Sequence, residues 1–185
     1  YITHPNELKT ALRILEYYII SREFADKNEK EITRAIPKIL GDIIKQQDQY
    51  PAVVASLYAN LIYLPQNRPM GHEVKYCVPN EIAIKQGFAS TKIYHKNSEF
   101  TRLFLIRLLT GDSKIKYDFS NASVEHILPQ KYEANWDVSP DEAETYMHTI
   151  GNLTLTPYNS VYSNKSFNDK KQEMQNDEFW FNNEI

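Results

Sequence analysis

One cysteine, Cys77, stands in 185 residues, so no internal disulfide can form and no cysteine cluster offers a zinc site. A lone thiol fits a reducing compartment, and a cytoplasmic location is expected. No apolar run approaches the ~18 to 20 residues that a bilayer-spanning helix needs, and no signal-peptide pattern opens the chain, so no membrane partner is expected. The first residue is Tyr1 rather than Met, and a fragment of a longer protein is expected.

What is present describes an ordinary folded chain, 42% hydrophobic and 24% charged, long enough for one domain or two small packed subdomains. The net charge of −3 hides an asymmetry. Residues 1–122 hold 17 Lys and Arg against 13 Asp and Glu, net +4, whereas residues 123–185 hold 4 against 11, net −7. Phosphate attraction dominates nucleic-acid affinity. Nucleic-acid binding by the acidic segment would therefore need a basic surface from the upstream helices or from another part of a longer protein.

Upstream, apolar residues recur at helical spacing. Leu8, Ala11, Leu12, Leu15, Tyr18 and Ile19 predict a helix with Asn6 as its cap, ending at Ser21 to Phe24. Residues 30–48 read as a second helix interrupted by Pro37, and a third opens at Pro51 and stops before Leu64-Pro65. Pro65 to Val78 reads as a loop, with His72 at the surface and Cys77 partly buried. Asn80-Glu81 starts a short helix that Gly87 can close, and Ser98 starts one that runs to Gly111.

The chemistry-bearing residues lie further on. Ser123 to Gln130 reads Ser-Val-Glu-His-Ile-Leu-Pro-Gln, and Ile150 to Asn159 reads Ile-Gly-Asn-Leu-Thr-Leu-Thr-Pro-Tyr-Asn. Each half predicts a short strand, Val124 to Leu128 and Asn152 to Thr156, ended by Pro129 and Pro157. A helix should follow from about Asn159. His126 is a base that can be neutral near pH 7, Glu125 with a later Asn can hold a hard cation, and Gly151 lets backbone approach a phosphate. Neighbouring strand residues face opposite ways, so Glu125 and His126 can share a pocket only if the strand ends or distorts beside them. Between the halves, Lys131 to Thr149 forms an insertion with Trp136 as a packing anchor and a helix capped by Ser139 before Pro140, Asp141 and Glu142. His148 is read as packing against or capping that helix.

Glu-His-Ile-Leu-Pro, then His148-Thr-Ile-Gly-Asn-Leu-Thr-Leu, then Asn159 and Ser163-Asn-Lys-Ser-Phe with Lys170, resembles the C-terminal domain family of GmrSD-type modification-dependent restriction endonucleases. More broadly it resembles the His-Me finger (HNH) nucleases. The resemblance implies a mainly α, α+β fold with a small embedded ββα unit. Residues 1–122 would be a helical subdomain and residues 123–185 the nuclease unit with the inserted segment 131–149, packed as one structural domain. It also implies an endonuclease that uses Mg²⁺ or another divalent cation such as Mn²⁺, acting on modified or foreign DNA in host defence. An upstream ParB-like NTP-dependent domain, absent from these residues, would be a partner, and a homodimer is possible.

By that analogy His126 is the general base, Asn152 holds the His126 loop or ring, and Glu125 with Asn159 holds the cation. Asn159 is preferred to Asn164 because it follows Asn152 by 7 residues, which suits a strand turning directly into a helix. Lys165 and Lys170 are candidate DNA contacts. Each residue also has a plainer reading: a core histidine, an exposed strand carboxylate, turn or cap asparagines, and solvated lysines. The competing function is a catalytically inactive helical DNA-binding or scaffold domain that retains the ββα unit.

Overall fold

The structure is a computed structural model that describes residues 4–25, 32–34, 36–37, 41, 54–55, 57, 61–62, 77–111, 118–132, 136–157, 162 and 164–175. It is mostly helical with one two-stranded antiparallel sheet, an α+β fold of mainly α character. The chain forms two compact units, Tyr1–Gly87 and Phe88–Ile185.

In the first unit, helix α1 spans Pro5–Phe24. Its N-cap is His4, not Asn6, and no side chain caps it; Pro5 in the first turn has no N–H to leave unpaired. Tyr18 packs with Leu57, Leu61 and Val78, and Ala11, Ile14, Leu15 and Ile19 cover that cluster. The helices expected over 30–48 and from Pro51 fall largely outside the described residues, as does His72. The described positions 32–34, 36–37, 41, 54–55 and 57 within them are helical. Arg22 is 1% exposed and donates from Nη1 to the Cys77 carbonyl at 2.9 Å, which ties the end of α1 to a segment far along the chain.

Helix α2 spans Glu81–Ser90 and starts under Asn80, whose Oδ1 accepts from Ala83 N at 2.8 Å. Gly87 does not close it but lies inside it, and the reason is packing. A Cβ on Gly87 would sit 2.2 Å from the Phe24 carbonyl oxygen and 2.6 Å from its carbon, so only glycine admits this approach to the end of α1.

The second unit carries the sheet. A one-turn helix, α3, covers Ile93–Lys96, and α4 covers Ser98–Thr110. The cap of α4 is Asn97, one residue before the expected Ser98, and its side chain accepts from Phe100 N at 2.9 Å. Gly111 ends α4 at φ 52°, a left-handed conformation that suits a residue without Cβ. Arg102 on α4 donates from Nε to the Ala122 carbonyl at 2.7 Å and also to the Phe119 carbonyl, bracing the chain as it enters the sheet.

Strand β1 is Ser123–His126 and β2 is Leu153–Thr156, paired antiparallel with Glu125 opposite Thr154 and His126 opposite Leu153. Both strands are shorter than the sequence suggests, since Asn152 belongs to a 3-10 turn, Ile150–Asn152. Every residue of β2 is buried. Between the strands, α5 spans Pro140–Tyr146 under the expected Ser139 cap, a full capping box with Glu142. Helix α6 spans Phe167–Gln175, with the Ser166 hydroxyl accepting from Asp169 N at 3.3 Å. Two strands and then a helix is thus the observed order. No helix among the described residues is long and apolar enough to cross a membrane.

Candidate active site

Strand β1 ends at His126, and that ending solves the problem of alternation. With the ladder broken after it, His126 and Glu125 line one cleft, together with Tyr94, Val124, Pro129, Gln130 and Asn164. The turn beyond β1 is held by Asn152. Its Oδ1 accepts from Leu128 N at 2.7 Å, and its Nδ2 donates to the Leu128 carbonyl at 3.0 Å and the Met147 carbonyl at 2.9 Å. The Asn152 carbonyl accepts from Ile127 N at 2.9 Å. One residue therefore clamps the three peptides that follow His126 to the segment that precedes β2.

Glu125 is buried, 6% exposed, and its Oε1 accepts from Lys170 Nζ at 2.6 Å. The same ammonium donates to the His126 carbonyl at 2.7 Å, so α6 is stapled to the end of β1 at two points. Burial raises the Glu125 pKa while the Lys170 hydrogen bond and charge pull it down; burial wins. Lys170 itself is 1% exposed, so its charge is directed at Glu125 inside the protein rather than at a phosphate on the surface. Lys165, the other lysine expected to contact DNA, is part-exposed and pairs with Glu173 at 3.0 Å.

His126 is 5% exposed and is held neutral, with its pKa lowered to about 4. Burial is the chief cause, followed by the nearby His148, Lys170 and His95. Its Nε2 lies 3.0 Å from His148 Nδ1, and its Nδ1 lies 3.5 Å from the amide nitrogen of Gln130. Tyr94 meets the His126 ring edge-on, with centroids 4.6 Å apart.

Of the residues singled out from the sequence, Glu125, His126 and Asn164 share the cleft, Asn152 buttresses it from behind, and Lys170 pairs with Glu125. Asn159 lies outside the described residues. Gly151 is exposed in the 3-10 turn, with open space where a Cβ would be. Trp136 packs edge-on against Phe167, ring centroids 6.0 Å apart.

Three contacts of His126 escape sequence reading: His148, Tyr94 and Gln130. His148 and Tyr94 lie 22 and 32 positions away, and no local periodicity encodes a meeting across that distance. Gln130 follows His126 by four residues, but only the turn after β1 brings its amide back to the ring.

The oxygen donors in the cleft suit a hard cation. Glu125 Oε2 has no hydrogen-bond partner among the described residues, and Asn164 offers a carboxamide oxygen on the same cleft. Among the described residues no group of three or more His, Cys, Asp or Glu side chains could enclose a metal. A cation here would thus be completed by water or substrate oxygens, as Mg²⁺ tolerates.

A match to the family model described as GmrSD restriction endonucleases, C-terminal domain, covers residues 78–185, more than half of the chain. No curated protein and no solved structure matches the chain. The matched segment begins just before α2 and contains the whole of the cleft and every residue that supports it. The chain therefore belongs to the family of GmrSD restriction endonuclease C-terminal domains, a family of nucleases whose substrate is DNA.

Proposed function

We propose that this chain is a Mg²⁺-dependent DNA endonuclease module in which neutral His126 is the general base, a nuclease unit of the His-Me finger type. One observation carries the reading most directly. A buried imidazole kept neutral has Nε2 engaged by His148 and only a long contact, to the Gln130 amide, at Nδ1, and it shares a cleft with a carboxylate and a carboxamide. A base needs to be unprotonated at working pH and within reach of water; the lowered pKa and a place on the cleft wall support this reading.

A water molecule that takes the place of the long Gln130 contact gives its proton to His126 Nδ1 as the water oxygen bonds to the scissile phosphorus. The bond from phosphorus to the 3′ oxygen breaks, and that oxygen takes a proton from solvent. Asn152 holds the backbone after His126, so the ring keeps its place. Lys170 favours the ionised form of Glu125 in a site where burial opposes charge. Glu125 and Asn164 would hold the cation; Asn159, the ligand preferred from spacing, remains a candidate. When bound, Mg²⁺ or Mn²⁺ would neutralise the charge that develops on the phosphate oxygens.

The restriction context points to foreign or modified DNA as substrate and to defence against phage as the role. A ParB-like NTP-dependent domain, in the same or a partner chain, and a homodimer that cuts both strands belong to the same proposal. An inactive scaffold is the weaker reading, because a scaffold has no use for a neutral base, a buried carboxylate and a carboxamide in one cleft.

Nicking of supercoiled plasmid DNA, unmodified or carrying modified bases, is expected with Mg²⁺ and not with EDTA. His126→Ala should lower the rate by about 10² to 10⁴, the usual share of a general base, with circular dichroism unchanged. A variant that cuts as fast as the parent removes His126 from the base role.

A further inference from the structure

An imidazole can take a proton at one nitrogen only while its own proton sits on the other. The cleft decides which nitrogen of His126 is bare. Its Nε2 is 3.0 Å from His148 Nδ1, and both rings are buried, at 5% and 8% exposed. Between two neutral rings one nitrogen must donate and the other accept, and this contact alone permits either sense. The second contact breaks the tie. The amide nitrogen of Gln130, which can only donate, lies 3.5 Å from His126 Nδ1; this long contact suits a bare Nδ1 and not an Nδ1–H, so it favours the proton on Nε2.

We propose that His148 is a positioning residue of this site: its Nδ1 accepts the His126 Nε2–H and so fixes the tautomer in which His126 Nδ1, on the cleft side, is the base. The inference rests on the base role proposed for His126 and deepens it. His148 is itself held on two sides. Its ring stacks on His95 with centroids 3.6 Å apart and lies parallel to Tyr94 at 6.0 Å, and its carbonyl accepts from Tyr94 N at 3.3 Å. Helix α3 thus fixes both the backbone and the ring of His148, while Tyr94 from the same helix bounds His126.

The contact also responds to the chemistry. Once Nδ1 has taken the water proton, His126 is an imidazolium and its Nε2–H bond to His148 becomes charge-assisted, hence shorter and stronger. For this His148 must stay neutral. Burial, followed by the nearby His95 and Lys92, lowers its pKa and keeps its Nδ1 an acceptor.

The test reads the tautomer and the rate separately. In ¹⁵N-labelled protein at pH 7, two-bond ¹H–¹⁵N correlation spectra should show His126 with its proton on Nε2. A wild-type spectrum with the proton on Nδ1 overturns the proposal without any variant and whether or not the protein cuts DNA. His148→Leu fills a similar volume without an acceptor. It should lower kcat for plasmid nicking with Mg²⁺ by about 10 to 10²-fold, part of what a general base supplies, with KM little changed. His148→Asn places an oxygen near the position of Nδ1 and should restore the rate to within about threefold of wild type, an acceptor being all that the bond requires. If His148→Leu cuts at the wild-type rate with the same His126 tautomer, His148 only packs, and the nuclease reading stands without it. If wild-type protein shows the Nε2–H tautomer but no cleavage, the tautomer assignment stands, and the base role on which the inference depends is lost.

Discussion

The Asn152 amide is committed to backbone groups alone, one accepted and two donated; two of the bonds hold Leu128 in the turn that follows His126, and the third ties Asn152 to Met147. Asn152→Ala would strand the Leu128 N–H and two carbonyls, at a cost of about 1 to 3 kcal/mol. Asn152→Asp should be at least as damaging, because it turns an acceptor oxygen towards two carbonyls that need a donor. Thermal unfolding of the two variants checks this order; an Asp variant as stable as the parent would mean that the clamp carries no weight. His126 has its own signature in pH. An unfolded histidine binds its proton near pH 6.5, whereas folded His126 does so only near pH 4. The unfolded chain therefore binds more protons between these values, and the stability that neutral His126 brings is complete above pH 6.5 and lost as pH falls towards 4. His148, also lowered, acts in the same sense. Glu125, raised, opposes them, its contribution being present at low pH and lost as pH rises. Urea midpoints measured from pH 7 to pH 5 should fall, and fall less steeply for His126→Gln than for the parent.

At the scale of elements, a helix contact and not a helix end accounts for Gly87. Gly87 would ordinarily cost α2 about 1 kcal/mol against alanine. Here the alanine Cβ would press into the Phe24 backbone, which has no flexible end to move aside. Gly87→Ala is expected to lower the melting temperature, whereas Gly41→Ala, helical and with open space where the Cβ would be, should raise stability by up to about 1 kcal/mol. Equal gains from both substitutions would show that α1 and α2 do not meet as closely as described. The strands illustrate the same dependence. β1 and β2 are four residues each, too short to be stable alone, and they are held by Arg102 from α4 at one end and Lys170 from α6 at the other.

At the scale of the whole molecule, the charge distribution limits how the chain can meet DNA. The segment that carries the cleft has net charge −7, and its buried Lys170 is engaged by Glu125. Few lysines and arginines remain there to displace counterions from phosphates. Binding of duplex DNA, followed by fluorescence anisotropy from 50 to 200 mM salt, should therefore show a shallow dependence, with a log–log slope of magnitude no more than about 3. A slope near −6 would require a phosphate track built from the upstream residues, whose net charge is +4.

The ordered motifs from Ser123 to Lys170 were enough by themselves to indicate two antiparallel strands, a following helix and the pairing of a carboxylate with a histidine. Proline stops, period-two alternation and caps such as Ser139 are local signals, and local signals survive without a fold. Cap positions slipped by a residue or two, from Asn6 to His4, because Pro5 takes the first helical position, and from Ser98 to Asn97, whose side chain accepts from Phe100 N. What only tertiary structure decided was the set of partners. The sequence offers Lys170 as a DNA contact or a solvated helix lysine, but burial makes it the counterion of Glu125. It presents His148 as packing against or capping a helix, but the fold holds it against Tyr94 and His95 and brings its Nδ1 to 3.0 Å from His126 Nε2. Partner choice depends on contacts 22 and 45 positions apart, which arise when the chain closes on itself and not from any periodicity along it.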